Sequence, residues 1–173
     1  MKKRGKENLF YASQKISGVN FKVIASLKGI RKIILNKNYN FDNKKFNLTR
    51  LRSDDPYLFN IFNQLEEYLE GERKKFTVPL DIKGTEFQKK VWNELSRIPF
   101  GKTTSYKKIA EELGNKKALR AVGKAASLNP LCIVIPCHRM ISSNGKIGGY
   151  SAGLKIKEKL LELEGSLSLE LFE

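Results

Sequence analysis

The chain has 173 residues, 33 Lys+Arg against 18 Asp+Glu, two cysteines and a single histidine. That length suits one ordinary domain or two small ones, and a 40% hydrophobic content excludes a wholly disordered chain. Two cysteines cannot staple a fold of this size, and Cys and His together fall short of a closed zinc site, while the net charge of +15 points to an anionic partner.

Residues 1–8 are polar and basic and read as a loose tail. No apolar run follows Lys2, Lys3 and Arg4, and the longest apolar run, Leu131 to Pro136, is too short to cross a bilayer. The expectation is a soluble, cytoplasmic protein with reduced thiols. Phe21, Val23, Ala25 and Leu27 alternate with Lys22, Ile24, Ser26 and Lys28, which predicts a half-buried strand. Lys28-Gly29 is a turn signal before Ile30 to Leu35, so 21–35 reads as a hairpin. Residues 36–53, rich in Asn, Lys and Arg, read as a loop.

Asp54-Asp55-Pro56 is a helix start, because Asp caps and Pro is tolerated at the first helical position. Leu58, Ile61, Phe62, Leu65 and Leu69 give the apolar stripe, and Gly71 ends it. Phe76 to Ile82 reads as a further strand, with Gly84 as the boundary. The expected domains are therefore 1–83 and 84–173, in an α+β class.

The second half reads as mostly helical. Thr85 and Gln88 form a capping-box pattern ahead of Phe87, Val91, Trp92, Leu95 and Ile98. Pro99 and Gly101 break that helix, and Thr103 or Thr104 is the candidate cap of the next. Its apolar face is Tyr106, Ile109, Ala110 and Leu113, closed by Gly114. A third helix runs from Ala118 to Ser127, with Leu119, Val122, Ala125 and Ala126 on one side. Two short helices joined by a Gly-containing turn make a helix-turn-helix pattern. The second carries Lys116, Lys117, Arg120 and Lys124 among small residues that include Ala121 and Gly123. Residues 97–157 hold 12 basic and 2 acidic residues, a bias that suits DNA once a motif stands beside it.

After Asn129-Pro130, Leu131 to Ile135 reads as a buried strand leading into Pro136, Cys137, His138 and Arg139. A thiol beside the chain's single His is a candidate nucleophile, since a neighbouring imidazole or positive charge lowers a thiol pKa. Cys132, inside the strand, would sit about 16 Å from Cys137 on an extended chain and reads as a core cysteine. Beyond the turn-rich loop from Ser142 to Gly149, a helix from Leu154 to Glu164 puts Glu164 on the inward side with Leu160 and Leu161. An inward carboxylate needs a partner. A Cys–His–Glu relay and an ordinary salt bridge both satisfy that need, and spacing leaves the two open.

Ile135-Pro136-Cys137-His138-Arg139, with Gly149-Tyr150-Ser151 downstream, resembles the active-site signature of the O6-alkylguanine-DNA alkyltransferases. The resemblance runs from about Gly84 to Gly165 and is only general over residues 9–83. It implies a ribonuclease-H-like N-terminal domain, then a mostly helical domain with a winged helix-turn-helix-like DNA-binding part. It implies transfer of an alkyl group from guanine O6, and less directly thymine O4, in duplex DNA to Cys137. His138 would take the thiol proton, Glu164 would hold the imidazole, and Tyr106 would donate to the guanine ring. Asn129, Met140, Tyr150 and Ser151 would form the substrate side. Arg120, Ala121, Gly123, Lys124 and Tyr106 would meet DNA through the minor groove, with Arg120 filling the place of a flipped nucleotide. No cofactor or metal is implied, and the protein would act once as a monomer. Cys132 stands where relatives often have Pro or another small residue. Competing readings are a non-enzymatic binder of alkylated DNA, which would lack the reactive cysteine, a redox-sensing helix-turn-helix regulator, and a Cys-His hydrolase.

Overall fold

The computed structural model describes residues 6–36 and 45–167. It divides into two compact units, Met1–Ile82 and Lys83–Glu173. The first unit is a four-stranded sheet with one helix. Strands β1 (Glu7–Ile16), β2 (Val19–Ser26), β3 (Gly29–Leu35) and β4 (Phe46–Arg50) lie in the order β3-β2-β1-β4. β2 pairs antiparallel with both β1 and β3, and β4 pairs parallel with β1. Helix α1 (Pro56–Leu69) packs against β1.

The 21–35 hairpin forms as the alternation implies, but Ile24 does not face solvent. It is buried with Leu9 and Ile34 in a second cluster flanked by Tyr11, Phe46 and Leu48, so both faces of this sheet bury apolar side chains. Two strands are hidden in the sequence. Glu7 and Asn8, which read as tail, open β1, and β4 lies in what reads as a loop. Their pairing explains both: β1 is central, and Phe46 to Arg50 needs only one paired edge to be held. Residues 1–5 of the tail and residues 37–44 lie outside the described residues. Phe76 to Ile82 is not a strand. Ile30 donates to the Pro79 carbonyl at 2.8 Å and accepts from Asp81 N at 2.9 Å, making a single bridge between Ile30 and Leu80. Pro79 has no N–H with which to extend a ladder. α1 starts as its sequence predicts, with Asp55 accepting from Tyr57 N at 3.0 Å and Pro56 in the first turn. Leu58, Ile61, Phe62 and Leu65 are buried, each contributing about 1.5–3 kcal/mol.

The second unit holds α2 (Glu86–Ser96), α3 (Tyr106–Glu112), α4 (Leu119–Ser127) and α5 (Leu154–Leu163), with a two-residue pair β5 (Thr104–Ser105) and β6 (Met140–Ile141). The Thr85–Gln88 capping box is present in full. Val91, Trp92 and Leu95 are buried, and the Trp92 indole donates to the Ala125 carbonyl at 2.9 Å, locking α2 to α4. The cap of α3 is Ser105, accepting from Lys108 N at 3.1 Å, rather than Thr103 or Thr104. The helix starts at Tyr106, later than either of those caps would need, so the hydroxyl of Ser105 stands at the capping position. Leu119 is 41% exposed, so the buried side of α4 is Val122, Ala125 and Ala126. No helix among the described residues is long and apolar enough to cross a membrane.

Leu131 to Ile135 is buried but is not a strand. Ile133 adopts φ 75°, and Ile135 N donates to the Leu131 carbonyl at 2.8 Å, so the chain folds back in a tight turn. A β-branched residue in left-handed backbone costs about 1–3 kcal/mol and persists only where its surroundings hold it. Here Asn129 does so from inside, its side-chain oxygen accepting from Leu131 N at 2.9 Å and its amide donating to the Ile135 carbonyl at 2.8 Å.

Candidate functional site

That turn delivers Cys137 to the wall of a cavity of about 300 Å³, where it begins a single turn of 3-10 helix, Cys137–Arg139. Tyr106, Gly123, Ala126, Ser127, Met140, Gly149, Tyr150 and Ser151 complete the lining. The elements meet there for local reasons. Parallel pairing of Thr104 with Met140 and Ser105 with Ile141 ties the start of α3, and so Tyr106, to the residues just after Cys137. The Tyr106 ring lies against Gly123 of α4, where a Cβ would stand 3.7 Å from it. Of the sequence-predicted residues, the cavity therefore gathers Tyr106, Gly123, Cys137, Met140, Tyr150 and Ser151. Arg120, Ala121 and Lys124 are not in its lining; they occupy the exposed face of α4. Asn129 is buried behind the sulfur, with Nδ2 3.0 Å from Cys137 Sγ.

Of the alternatives left open for Glu164, the salt bridge forms, with Arg139, and the His138–Glu164 arm of the relay forms beside it. His138 Nε2 lies 2.9 Å from Glu164 Oε1. Arg139 donates to the same carboxylate from Nε at 2.8 Å and from Nη2 at 2.9 Å. The Gly101 amide is the fourth donor, at 3.3 Å. Gly101 has φ 74°, and a Cβ there would meet the Glu164 carbonyl at 2.9 Å, so the position requires glycine. All three side chains of this cluster are buried, and Arg139 also donates to the Ile98 carbonyl at 2.5 Å. A carboxylate held by a guanidinium only accepts, so His138 carries its proton on Nε2 and leaves a lone pair on Nδ1. Burial lowers the His138 pKa, opposed by Glu164 and aided by Arg139 and Lys157, which keeps the imidazole neutral and able to accept a proton. The Tyr106 pKa moves the other way. Burial, then the neighbouring Cys137, raise it, so the phenol stays protonated and able to donate.

Cys132 is not remote from Cys137. The tight turn brings both thiols against Asn129, whose amide lies 3.0 Å from Cys137 Sγ and whose carbonyl lies 4.0 Å from Cys132 Sγ, which an extended strand would forbid. Cys132 Sγ also lies 4.0 Å from Ser151 Oγ and 4.0 Å from the Asn129 carbonyl. The Cys132 pKa falls to about 7, because Cys137 donates to it, with burial opposing and Ser151 and Tyr150 assisting. The Cys137 pKa is raised, first by sharing that hydrogen bond and then by burial, with Asn129 pulling the other way. The pair thus holds its first thiolate readily and resists a second.

Lys157 carries a role that sequence reasoning misses, because there it reads as one lysine among many. Its side chain is buried, and Nζ donates to the Met140 carbonyl at 2.5 Å and to the Ile147 and Gly149 carbonyls. Its position on the inward side of α5, four residues before Leu161, is the available signal. One ammonium therefore fastens the two backbone segments that form the cavity wall. Lys157→Met keeps the volume but strands the buried Met140 carbonyl and loosens the part-buried Ile147 and Gly149 carbonyls, so stability should fall by about 1–3 kcal/mol. Urea unfolding measures that loss, and a variant as stable as the parent would remove Lys157 from this role.

The chain is similar over residues 86–166 to the family model described as 6-O-methylguanine DNA methyltransferase, DNA binding domain. Over residues 16–82 it is similar to that described as 6-O-methylguanine DNA methyltransferase, ribonuclease-like domain. An inducible methylated-DNA–protein-cysteine methyltransferase of Bacillus subtilis is 38% identical over 171 residues, covering 96% of each chain. One from Methanosarcina acetivorans is 58% identical over 103 residues, 60% of this chain and 66% of that one. Among solved structures, the O6-methylguanine methyltransferase of Mycobacterium tuberculosis matches with TM-score 0.81 and 34% identity, covering 95% of this chain and 99% of that one. The Mycobacterium tuberculosis protein in complex with DNA matches with TM-score 0.78 and 34% identity, over 92% and 93%.

Proposed function

Because the chain belongs to the 6-O-methylguanine DNA methyltransferase family, with its ribonuclease-like and DNA-binding domains, we propose that it repairs DNA by moving the alkyl group of O6-alkylguanine onto Cys137, once per molecule. The observation that carries this reading is Cys137 on the wall of a cavity that also holds the Tyr106 phenol, with the adjacent His138 held by Glu164.

His138, oriented by Glu164, takes the thiol proton, and the Asn129 amide steadies the sulfur at 3.0 Å. The Cys137 sulfur attacks the alkyl carbon. The S–C bond forms, the C–O6 bond breaks, and its electron pair returns to the purine. Tyr106 donates toward the guanine ring, stabilising the leaving base. Met140, Tyr150 and Ser151 line the base, held in place by the Lys157 clasp. The target carbon is unreachable inside a duplex, so the nucleotide rotates out into the cavity. Arg120 is exposed on α4 and suits occupation of the vacated stack, while the small residues Ala121 and Gly123 let the helix approach a minor groove closely. A thioether does not hydrolyse, so no second turnover follows.

The test is intact-mass spectrometry after incubation with duplex DNA carrying O6-methylguanine. The expected result is one added methyl group per protein, on Cys137. An unchanged mass with tight binding of the lesion would replace this reading with that of a non-enzymatic binder of alkylated DNA.

A further inference from the structure

The second thiol has no part in that reaction, and its placement supports a separate chemistry. The Ile133 turn folds Cys132 back beside Cys137, with both side chains buried and reduced. Asn129 touches both, its amide 3.0 Å from Cys137 Sγ and its carbonyl 4.0 Å from Cys132 Sγ. Ser151, 4.0 Å from Cys132 Sγ, lines the cavity through which a small solute reaches Cys137. The turn thus replaces the extended span between the thiols with a shared neighbour, Asn129, and a disulfide needs such an approach of the two side chains.

We propose that Cys132 and Cys137 form a redox couple in which a peroxide converts the dithiol to an intrachain disulfide, and a dithiol reductant restores it. Cys137 gives its proton to His138, its thiolate attacks one oxygen of hydrogen peroxide, the O–O bond breaks, and the departing hydroxide takes that proton and leaves as water. The resulting sulfenic acid at Cys137 is attacked by the Cys132 sulfur. The S–S bond forms, the S–O bond breaks, and the oxygen leaves as water with the Cys132 proton. Two electrons pass from the sulfurs to the peroxide, which ends as two waters. Thiol–disulfide exchange with a dithiol reverses the step. A nucleophile used only once gains from such a partner, because disulfide formation stops the oxidation short of sulfinic and sulfonic acids, which are not readily reversed. While oxidised, Cys137 cannot accept an alkyl group. That last consequence rests on the alkyl-transfer reading; the disulfide does not.

The experiment treats the full chain with hydrogen peroxide and reads intact mass under non-reducing, denaturing conditions. The chain has only these two cysteines, so an intrachain disulfide can join no others. The expected product has lost two hydrogen atoms, migrates as a monomer and resists maleimide labelling. Its methyl transfer is lost in proportion to the disulfide formed and returns with dithiothreitol. Cys132→Ser and Cys132→Ala are expected instead to add oxygen at Cys137, without full recovery on reduction. Wild-type protein that gains oxygen as these variants do, or a disulfide that joins two chains, would overturn the proposal. Disulfide formation by a protein inactive in methyl transfer even when reduced would leave the couple standing and strike the repair function alone.

Discussion

Cys137→Ser is expected to abolish methyl transfer while leaving lesion binding intact. Serine keeps the size of the side chain and its place on the cavity wall, so the base still finds its lining of Tyr106, Met140, Tyr150 and Ser151. What it lacks is an ionisable, polarisable nucleophile. A thiol gives up its proton to a neighbouring imidazole far more readily than an alcohol, which needs a far stronger base. The measurement pairs intact mass with DNA binding by the same variant. A methyl group still gained by this variant, and mapped to Cys132, would move the nucleophile away from position 137.

Glu164→Gln should be the most destabilising single change in the second unit. The carboxylate has four donors from three residues, and none of its side-chain surface is exposed. Removing its charge leaves the buried Arg139 guanidinium uncompensated, at a cost of about 3–5 kcal/mol. The urea midpoint should fall accordingly. The double change Glu164→Gln with Arg139→Gln should be less damaging than the sum of the two single changes, because no lone charge then remains. Additive losses would mean that the pair contributes no more than an exposed ion pair. Methyl transfer should slow as well, since His138 loses the acceptor that sets its tautomer.

His138 and Arg139 reach one carboxylate from adjacent positions, and this explains why spacing could not separate the relay from the salt bridge. Sequence spacing puts Glu164 on the inward side of α5; it does not say which cation waits there. Arg139 is buried, and it ties the end of α5 to the Ile98 carbonyl after α2.

Helix starts were the most legible part of the fold. Asp55 and Thr85 cap through contacts two and three residues away, so their signals are complete within a short window. The hairpin at 21–35 is local in the same sense. β1 and β4 are not, because what makes each a strand is the other. Of the proposed site, the sequence sets Cys137 beside His138 and puts Glu164 on the inward side of α5, and the structure joins His138 to Glu164.

Tertiary structure alone decided what surrounds them. An apolar, β-branched run such as Leu131 to Ile135 has the composition of a strand, and only the Asn129 side chain bonded inside it turns the chain back. That single turn takes two thiols from an extended span to a shared neighbour, Asn129. In the same way, Lys157 differs from the chain's other lysines only in what closes over it. Residue type and spacing determine which chemistry is on hand. The long-range packing of polar groups, whose partners lie far away in the chain, determines which of those groups meet.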